Sequence, residues 1–225
     1  MNAVRRMLLT LAVLACTATT HAAHFRVGDF AFPKETPSYL KVGNRYVAKV
    51  EISNFLIVRE VRGEWLWVES RSVYAPDDDG PHGWVRAGAM DTFDEQIEYF
   101  RRRAATDVTP NPPDLHYYWL GLICRLSDDP HYQKLAVSYF TRAIVLAPAD
   151  DLNYYRRGFC WARLEQWDQA LADFEQASRL DASDEDYQAA VAYAQSHLDQ
   201  SLTAPEALAP GDTTTVSLKP APRSP

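Results

Sequence analysis

The chain has 225 residues, 47% of them hydrophobic and 24% charged, so it is long enough for two small folded domains. Its formal net charge is −7, and residues 24–225 alone hold 21 basic against 30 acidic residues, a net charge of −9. An acidic chain lacks the general attraction for phosphate that nucleic-acid binders use, and the attraction for anionic lipid surfaces. We therefore expect no nucleic acid among its partners.

Residues 1–23 have the three-part layout of a secretory signal peptide. Arg5 and Arg6 give a positive start, Met7–Cys16 is an apolar run, and the small and polar segment Thr17–Ala23 follows. The apolar run is too short to cross a bilayer core, which needs about 20 residues, and no later stretch is long and apolar enough. The sequence predicts an exported chain of the bacterial periplasm or cell envelope without a transmembrane span.

Two processing routes remain open for this segment. Ala22 and Ala23 each end a triplet suited to simple cleavage by signal peptidase. Val13–Cys16 instead resembles a lipobox, which would place a lipid anchor on Cys16. Leu14 is an unusual residue at its position in a lipobox, so cleavage near Ala22 is favoured over a lipoprotein.

A small all-β domain is predicted over residues 24–90. Its strand-like runs are Arg45–Glu51, Phe55–Val61, Glu64–Val68 and Gly83–Arg86. The second and third runs form a hairpin pattern joined by Arg62-Gly63, and alternate residues of the first run, from Tyr46 to Val50, are expected on one face. Four or five short strands favour a closed barrel, because an open sheet of this size would leave its edges exposed.

The tryptophans of this region carry a resemblance to a known family. Gly63-Glu64-Trp65, Trp67-Val68 and Gly83-Trp84-Val85 resemble the bacterial SH3-like domain, which places a Gly-x-Trp-x-x-Val hairpin before a closing Gly-Trp-Val strand. The resemblance covers about residues 36–90. It implies an SH3-like barrel that binds cell-wall peptidoglycan or a peptide, with an aromatic cluster of Trp65, Trp67 and Trp84 as the candidate surface. That hypothesis requires the three rings to lie outside the barrel.

The region after residue 90 repeats itself. Asp114–Gly121 aligns with Asp151–Gly158 at an offset of 37 residues. Further along, Ala136, Phe140 and Ala143 align with Ala170, Phe174 and Ala177 at an offset of 34. The glycine of each copy allows close approach of a neighbouring helix, and the phenylalanine fills the space beside it, which is typical of a helical hairpin.

This pattern resembles the tetratricopeptide repeat (TPR), whose period is 34 residues. The predicted segments are a connecting helix and loop over 91–113, repeat 1 over 114–150, repeat 2 over 151–184, a capping helix over 185–198 and a disordered tail rich in Pro, Thr and Ser over 199–225. The fold class is therefore multidomain, a small all-β SH3-like barrel followed by an all-α array of TPR hairpins. The junction Met90-Asp91 has no Gly or Pro spacer, so the two parts are expected to be docked.

No catalytic motif, cofactor signature or phosphate loop stands out, so we expect a non-enzymatic protein without a cofactor. Asp77–Gly80 could bind calcium, but a solvated turn is favoured because the ligand spacing of an EF-hand is missing. His116 has no partner ligand one turn away, so packing is favoured over metal ligation. Cys124 and Cys160 either pair as a disulfide or remain as two buried thiols, and buried thiols are favoured.

The TPR resemblance implies a peptide groove lined by the first helix of each hairpin. The matching positions are Leu115, Tyr118, Leu122, Arg125, Leu126, Leu152, Tyr155, Phe159 and Arg163. Aromatic rings with interspersed Arg suit a peptide site, and Arg125 and Arg163 could hold a carboxylate. The alternative is that the β domain or a cap covers this surface. The expected function is an exported scaffold for a protein or peptide partner; the alternative is a peptidoglycan or peptide binder that uses the SH3-like domain.

Overall fold

A β part precedes a helical part in the structure, which is a computed structural model that describes residues 23–106 and 113–203. Three predicted segments lie wholly or partly outside the described residues: the signal peptide up to residue 22, residues 107–112 of the connector, and the tail from residue 204. The two-part layout expected from composition, strands first and helices after them, is present.

Seven antiparallel strands form one curled sheet. They are β1 (Phe30–Pro33), β2 (Ser38–Val42), β3 (Arg45–Val50), β4 (Asn54–Arg62), β5 (Trp65–Ser72), β6 (His82–Arg86) and β7 (Met90–Thr92). The hydrogen-bonded order is β3-β2-β6-β5-β4-β1-β7, and within the described chain no pairing joins β3 to β7. The predicted number of strands, four or five, is therefore wrong, because β1 and β7 are too short to show a period in the sequence.

The hairpin predicted around Gly63 is present, with its turn displaced by one residue. Arg62 pairs with Trp65, so Gly63 and Glu64 form a two-residue turn. Gly63 has a φ of +57°, a left-handed conformation that a two-residue hairpin turn needs and that glycine adopts without strain. The turn fixes the register of β4 against β5 and thereby places Leu66 and Val68 inside the sheet.

Tyr46 does not share a face with Val50 as predicted. The pairing of β2 with β3 shifts between Leu40 and Lys41, so that Leu40 opposes Ala48 but Lys41 opposes Tyr46. This bulge moves Tyr46 to the outer face, where it is 64% exposed and contacts Tyr39, while Val50 is buried in the interior.

Strands β1 and β4 are buried on both faces. Ala31, Leu56 and Val58 point into the interior of the curled sheet. Phe32 and Phe55, from the opposite faces of the same strands, join the core of the helical part. The apolar run Phe55–Val58 in the first half of β4 reflects this double burial, since a strand with one solvent-exposed face would alternate. The sheet and the helices are thus packed together through a shared apolar layer.

Six helices follow the sheet. They are α1 (Phe93–Thr106), α2 (Pro113–Arg125), α3 (Pro130–Leu146), α4 (Asp151–Arg163), α5 (Trp167–Leu180) and α6 (Glu185–Thr203). The capping helix runs five residues past its predicted end, and Pro205 comes soon after it, consistent with the helix-breaking effect of proline. No described helix is long and apolar enough to span a membrane.

Helix α1 begins two residues later than predicted because of a capping box. The Glu95 carboxylate accepts hydrogen bonds from the backbone N–H of Thr92 at 2.8 Å and from its hydroxyl at 3.0 Å. The Thr92 hydroxyl in turn accepts from the Glu95 N–H at 3.3 Å. The backbone hydrogen bond from Thr92 holds the pKa of Glu95 below its ordinary value. Because the helix begins only at Phe93, residues Met90–Thr92 are free to pair with β1 as strand β7.

Each helical hairpin closes through the glycine–phenylalanine pair identified in the repeats. A Cβ atom placed on Gly121 would lie 2.7 Å from the Phe140 ring, and one on Gly158 would lie 2.5 Å from the Phe174 ring. Both rings are fully buried. The space at each crossing is therefore filled, and any larger residue at the glycine must displace an aromatic ring.

Arg157, which departs from the apolar pattern of the repeat, is accommodated by an ion pair. Its Nε and Nη2 donate to the two carboxylate oxygens of Asp173, each at 2.7 Å, and Nη1 donates to Thr141 at 2.9 Å. Asp173 is buried on α5, and Thr141 lies on α3. The guanidinium group therefore links both helices of the second hairpin to the first hairpin.

We predict that Gly121→Ala destabilises the fold by about 1–2 kcal/mol, because overpacking at Phe140 outweighs the better helix propensity of alanine. Urea unfolding monitored by circular dichroism measures the loss. Gly88→Ala is the matched control: a Cβ at Gly88 meets nothing within 4 Å, and its φ is not positive. Equal unfolding midpoints for the two variants would contradict the prediction.

Candidate functional site

The three predicted tryptophans lie on the outer face of the sheet. Trp65, Trp67 and Trp84 are half-buried, whereas their strand neighbours Leu66 and Val85 fill the interior. The rings of Trp67 and Trp84 are 5.3 Å apart between centroids. The three rings therefore lie outside the interior of the curled sheet, as the peptidoglycan hypothesis requires.

Cations lie over the rings of this face. The Arg86 guanidinium carbon is 5.2 Å from the centre of the Trp65 ring, and that of Arg62 is 5.3 Å from the Trp84 ring. The Lys41 ammonium lies 4.7 Å from the Tyr46 ring. Arg62 and Arg86 are exposed, and Arg62 also pairs with the Glu60 carboxylate. A ligand on this face would meet flat apolar rings beside positive charge.

A shallow depression of about 360 Å³ is lined by the two tryptophans Trp65 and Trp84, by Lys41 and Arg62, and by Gly43. A second depression of about 290 Å³ adjoins it and adds the rings of the two exposed tyrosines. The sequence reading missed Tyr39 and Tyr46 as members of this surface. In Tyr39-Leu40-Lys41 the central leucine is the buried residue of a short strand, so the period of two in a strand could have predicted that Tyr39 lies on the outer face.

The predicted groove is divided between buried and accessible positions. Leu122 is fully buried, and Tyr118 and Arg125 are only 8% and 7% exposed. Accessible or half-buried positions are Leu115, Leu126, Leu152, Tyr155, Phe159 and Arg163. The accessible part of the predicted groove therefore lies mainly on α4, the first helix of repeat 2, whereas the groove positions Tyr118, Leu122 and Arg125 on α2 are buried.

The β part covers α2. The Nη2 of Arg125 donates to the backbone carbonyl of Val73, just after β5, at 3.0 Å. The Tyr74 ring lies 6.1 Å from the Trp119 ring, and Val73 is in the same buried cluster as Leu122. The segment after β5 therefore contacts α2 at Arg125 and Trp119, and at Arg125 this matches the alternative left open by the sequence, a groove covered by the β domain.

Arg125 and Arg163, the predicted carboxylate-binding pair, have different roles. Burial, together with the charge of Arg156, lowers the pKa of Arg125 to about 10. Arg163 is exposed, and its Nη1 donates to the Arg125 carbonyl at 3.2 Å and to Asp128 at 3.0 Å. Arg156, which was not predicted as a site residue, is half-buried and stacks on the Tyr155 ring, 5.5 Å from its centre.

The remaining candidates for chemistry do not form a site. Within residues 23–106 and 113–203, no group of three His, Cys, Asp or Glu side chains is arranged to hold a metal ion. Asp79 accepts a hydrogen bond from Arg71 at 3.1 Å, which ties the predicted calcium loop to β5. His116 is buried beside Phe100, with ring centres 6.3 Å apart. The burial of His116 agrees with the packing expected for it, and the Asp79 side chain lies at the surface, as expected for a solvated turn.

Cys124 and Cys160 are two free, buried thiols on α2 and α4. Burial raises the pKa of each thiol to about 12. A thiol with so high a pKa carries almost no thiolate at neutral pH and is a poor nucleophile and a poor metal ligand. Neither cysteine therefore provides a reactive centre.

No protein-family model matches the chain, and no curated protein matches its sequence. Solved structures are similar over about half of it. PcrH from Pseudomonas aeruginosa has 17% identity over 48% of this chain and 77% of PcrH, with a TM-score of 0.37. The Yersinia enterocolitica type III secretion chaperone SycD, bound to a peptide of the translocator YopD, has 13% identity over 48% of this chain and 78% of SycD, with a TM-score of 0.38. Likeness at these scores is too distant to carry an argument about binding.

We predict that a Cys16→Ala chain does not react with 5,5′-dithiobis(2-nitrobenzoate) at pH 8 while folded, and shows two reactive thiols in guanidinium. The neutral thiols favour the folded state below pH 9, the ordinary thiol pKa, and this contribution is lost as the pH rises through about 12. Rapid labelling of the folded chain, or a mass two hydrogens lower that marks a disulfide, would show the assignment to be wrong.

Proposed function

We propose that the chain is an exported, non-enzymatic scaffold that binds a protein or peptide through the first helix of its second TPR hairpin. The observation that carries the proposal is the partial exposure of Leu152, Tyr155 and Phe159 on one stretch of α4. Aromatic and aliphatic side chains that stay accessible between packed helices are the usual anchors of peptide recognition. Export rests on the signal-like segment at residues 1–23.

Contacts around α4 support a preorganised surface rather than a loose one. The Tyr155 ring packs at 4.9 Å from Phe159 and at 4.7 Å from Tyr187 of α6. The Tyr187 hydroxyl donates to the Asp151 carboxylate at 2.5 Å, which fixes α6 beside α4. A partner would therefore bind rings that are already held in place, at a low entropic cost.

A second candidate function follows from the outer face of the sheet. We infer that the β part is an SH3-like module that binds peptidoglycan or a peptide in the cell envelope. The supporting observation is the set of cation-flanked rings of Trp65, Trp84 and Tyr46, which line two adjoining depressions. An exposed aromatic patch of this kind on a soluble domain marks an interaction surface.

Site-specific photo-crosslinking tests the scaffold function. Leu152→p-benzoylphenylalanine, on the open stretch of α4, is expected to give discrete adducts with a partner in the native host. Lys134→p-benzoylphenylalanine, on the exposed side of α3, is the control and should give none of them. An identical adduct pattern at both positions, or no adduct at residue 152, would contradict the proposal.

Co-sedimentation with purified peptidoglycan tests the second candidate. The full chain is expected to pellet with peptidoglycan, and Trp84→Ala should bind about tenfold more weakly because a stacking ring is lost. Tyr99→Ala, which removes an exposed ring from α1, should bind like the unmodified chain. Recovery of the unmodified chain in the supernatant, or equal loss in both variants, would rule this function out.

A further inference from the structure

The two adjoining depressions on the outer face of the sheet share one wall. Lys41, Trp65 and Trp84 line both of them. Arg62 lines only the depression of about 360 Å³, and Arg86 lines only the depression of about 290 Å³. Because the same three side chains border both depressions, a ligand that lies across this shared wall can occupy the two at once.

Strand register sets rings and cations in rows across this face. In one row Trp65 of β5 lies between Arg62 of β4 and Arg86 of β6. In the next row Trp84 of β6 is opposite Lys41 of β2. Neighbouring strands lie about 4.8 Å apart, so a ring or a cation recurs along a row at about that spacing. A ligand that follows a row therefore meets apolar faces and positive charge at short intervals.

The positive charge of the shared wall has little local compensation. The residues that line the two depressions include three cations and no carboxylate. Arg62 donates to the Glu60 carboxylate at 2.5 Å. In the part of the chain that the structure describes, Lys41 and Arg86 form no ion pair, and their charges lie over aromatic rings. Two of the three cations are therefore available to an anionic ligand.

The backbone behind the shared wall is not open to a ligand. Strands β2, β6 and β5 each lie between two hydrogen-bonded neighbours in the sheet. A peptide could not add a strand at this position, so it would lose the main-chain hydrogen bonds that usually hold an extended peptide. Any ligand here is held by side chains alone. Indole faces pack against the flat C–H faces of sugar rings, and Lys and Arg bind carboxylates.

We propose that the shared wall binds an acidic polysaccharide, a chain of sugar rings that carry carboxylates. The sugar rings stack on Trp65 and Trp84. Their carboxylates are bound by Lys41 on the wall, by Arg62 on one side and by Arg86 on the other. Because the two arginines flank one ring, successive charged sugars fit this face better than a single small anion. The inference rests on the second candidate function, binding at the outer face of the sheet, and adds the chemistry of the ligand.

Isothermal titration calorimetry of the full chain with polygalacturonate tests the proposal, since every ring of this polymer carries a carboxylate. Its methyl ester has the same backbone without the charge, and poly-L-glutamate has the charge without the sugar. At physiological ionic strength the chain is expected to bind polygalacturonate and to bind either reference polymer at least about tenfold more weakly, because each lacks one of the two recognised features.

Two arginine variants separate the shared wall from general charge effects. Arg86→Gln should weaken binding of polygalacturonate about tenfold, because a charge-assisted hydrogen bond is lost while the rings stay in place. Arg26→Gln is the matched control and should bind like the unmodified chain. Arg26 is an exposed arginine of the β part that lines neither depression, so its replacement changes the net charge by the same amount.

The remaining outcomes would overturn the proposal. Equal binding of polygalacturonate and poly-L-glutamate would mean that charge alone is recognised, and equal binding of the methyl ester would mean that carboxylates are not. No binding of polygalacturonate, or equal loss in the two arginine variants, would also overturn it. Sedimentation of the full chain with peptidoglycan together with such a negative result would leave the second candidate function standing and remove only the acidic polysaccharide.

Discussion

Burial of β1 and β4 on both faces is the constraint on which the rest of the structure depends. Ala31, Leu56 and Val58 close the interior of the sheet, and Phe32 and Phe55, from the same strands, complete the core of the helices. Neither part can lose these strands without exposing a large apolar surface, which at about 25 cal/mol per Å² is a substantial cost. The sheet is therefore fixed against the repeats and is not a module on a flexible linker.

This fixed arrangement decides which surfaces remain for binding. Docking of the sheet places the Val73 carbonyl on Arg125 and the Tyr74 ring beside Trp119, both on the first helix of repeat 1. The candidate positions that stay accessible therefore lie mainly on α4, and Arg125 lies at a junction to which both parts contribute.

The hairpins and the tryptophan face could be predicted from the sequence because their signals are local. Gly121 and Phe140 of the first repeat recur as Gly158 and Phe174 in the second, and Trp65 and Trp67 follow a turn that glycine forms easily. The coverage of Tyr118 and Arg125 was not predictable, because it depends on a contact with Val73, which is 52 residues away from Arg125 in the chain. The Thr92-x-x-Glu95 pattern of a capping box is visible in the sequence and could have predicted the helix start at Phe93.

Charge is distributed in a way that links the two candidate surfaces. Residues 24–90 hold nine basic and nine acidic residues, so the net charge of −9 belongs to residues 91–203. On both surfaces an arginine is stacked on an aromatic ring, Arg86 on Trp65 and Arg156 on Tyr155. Arg156 lies in the acidic part of the chain, where the excess of carboxylates repels anions that approach elsewhere, whereas Arg86 lies in the charge-balanced part beside Lys41 and Arg62. A ligand that bound at either candidate surface would be selected for where it carries its negative charge as well as for its apolar parts, which is how few contacts can give specificity.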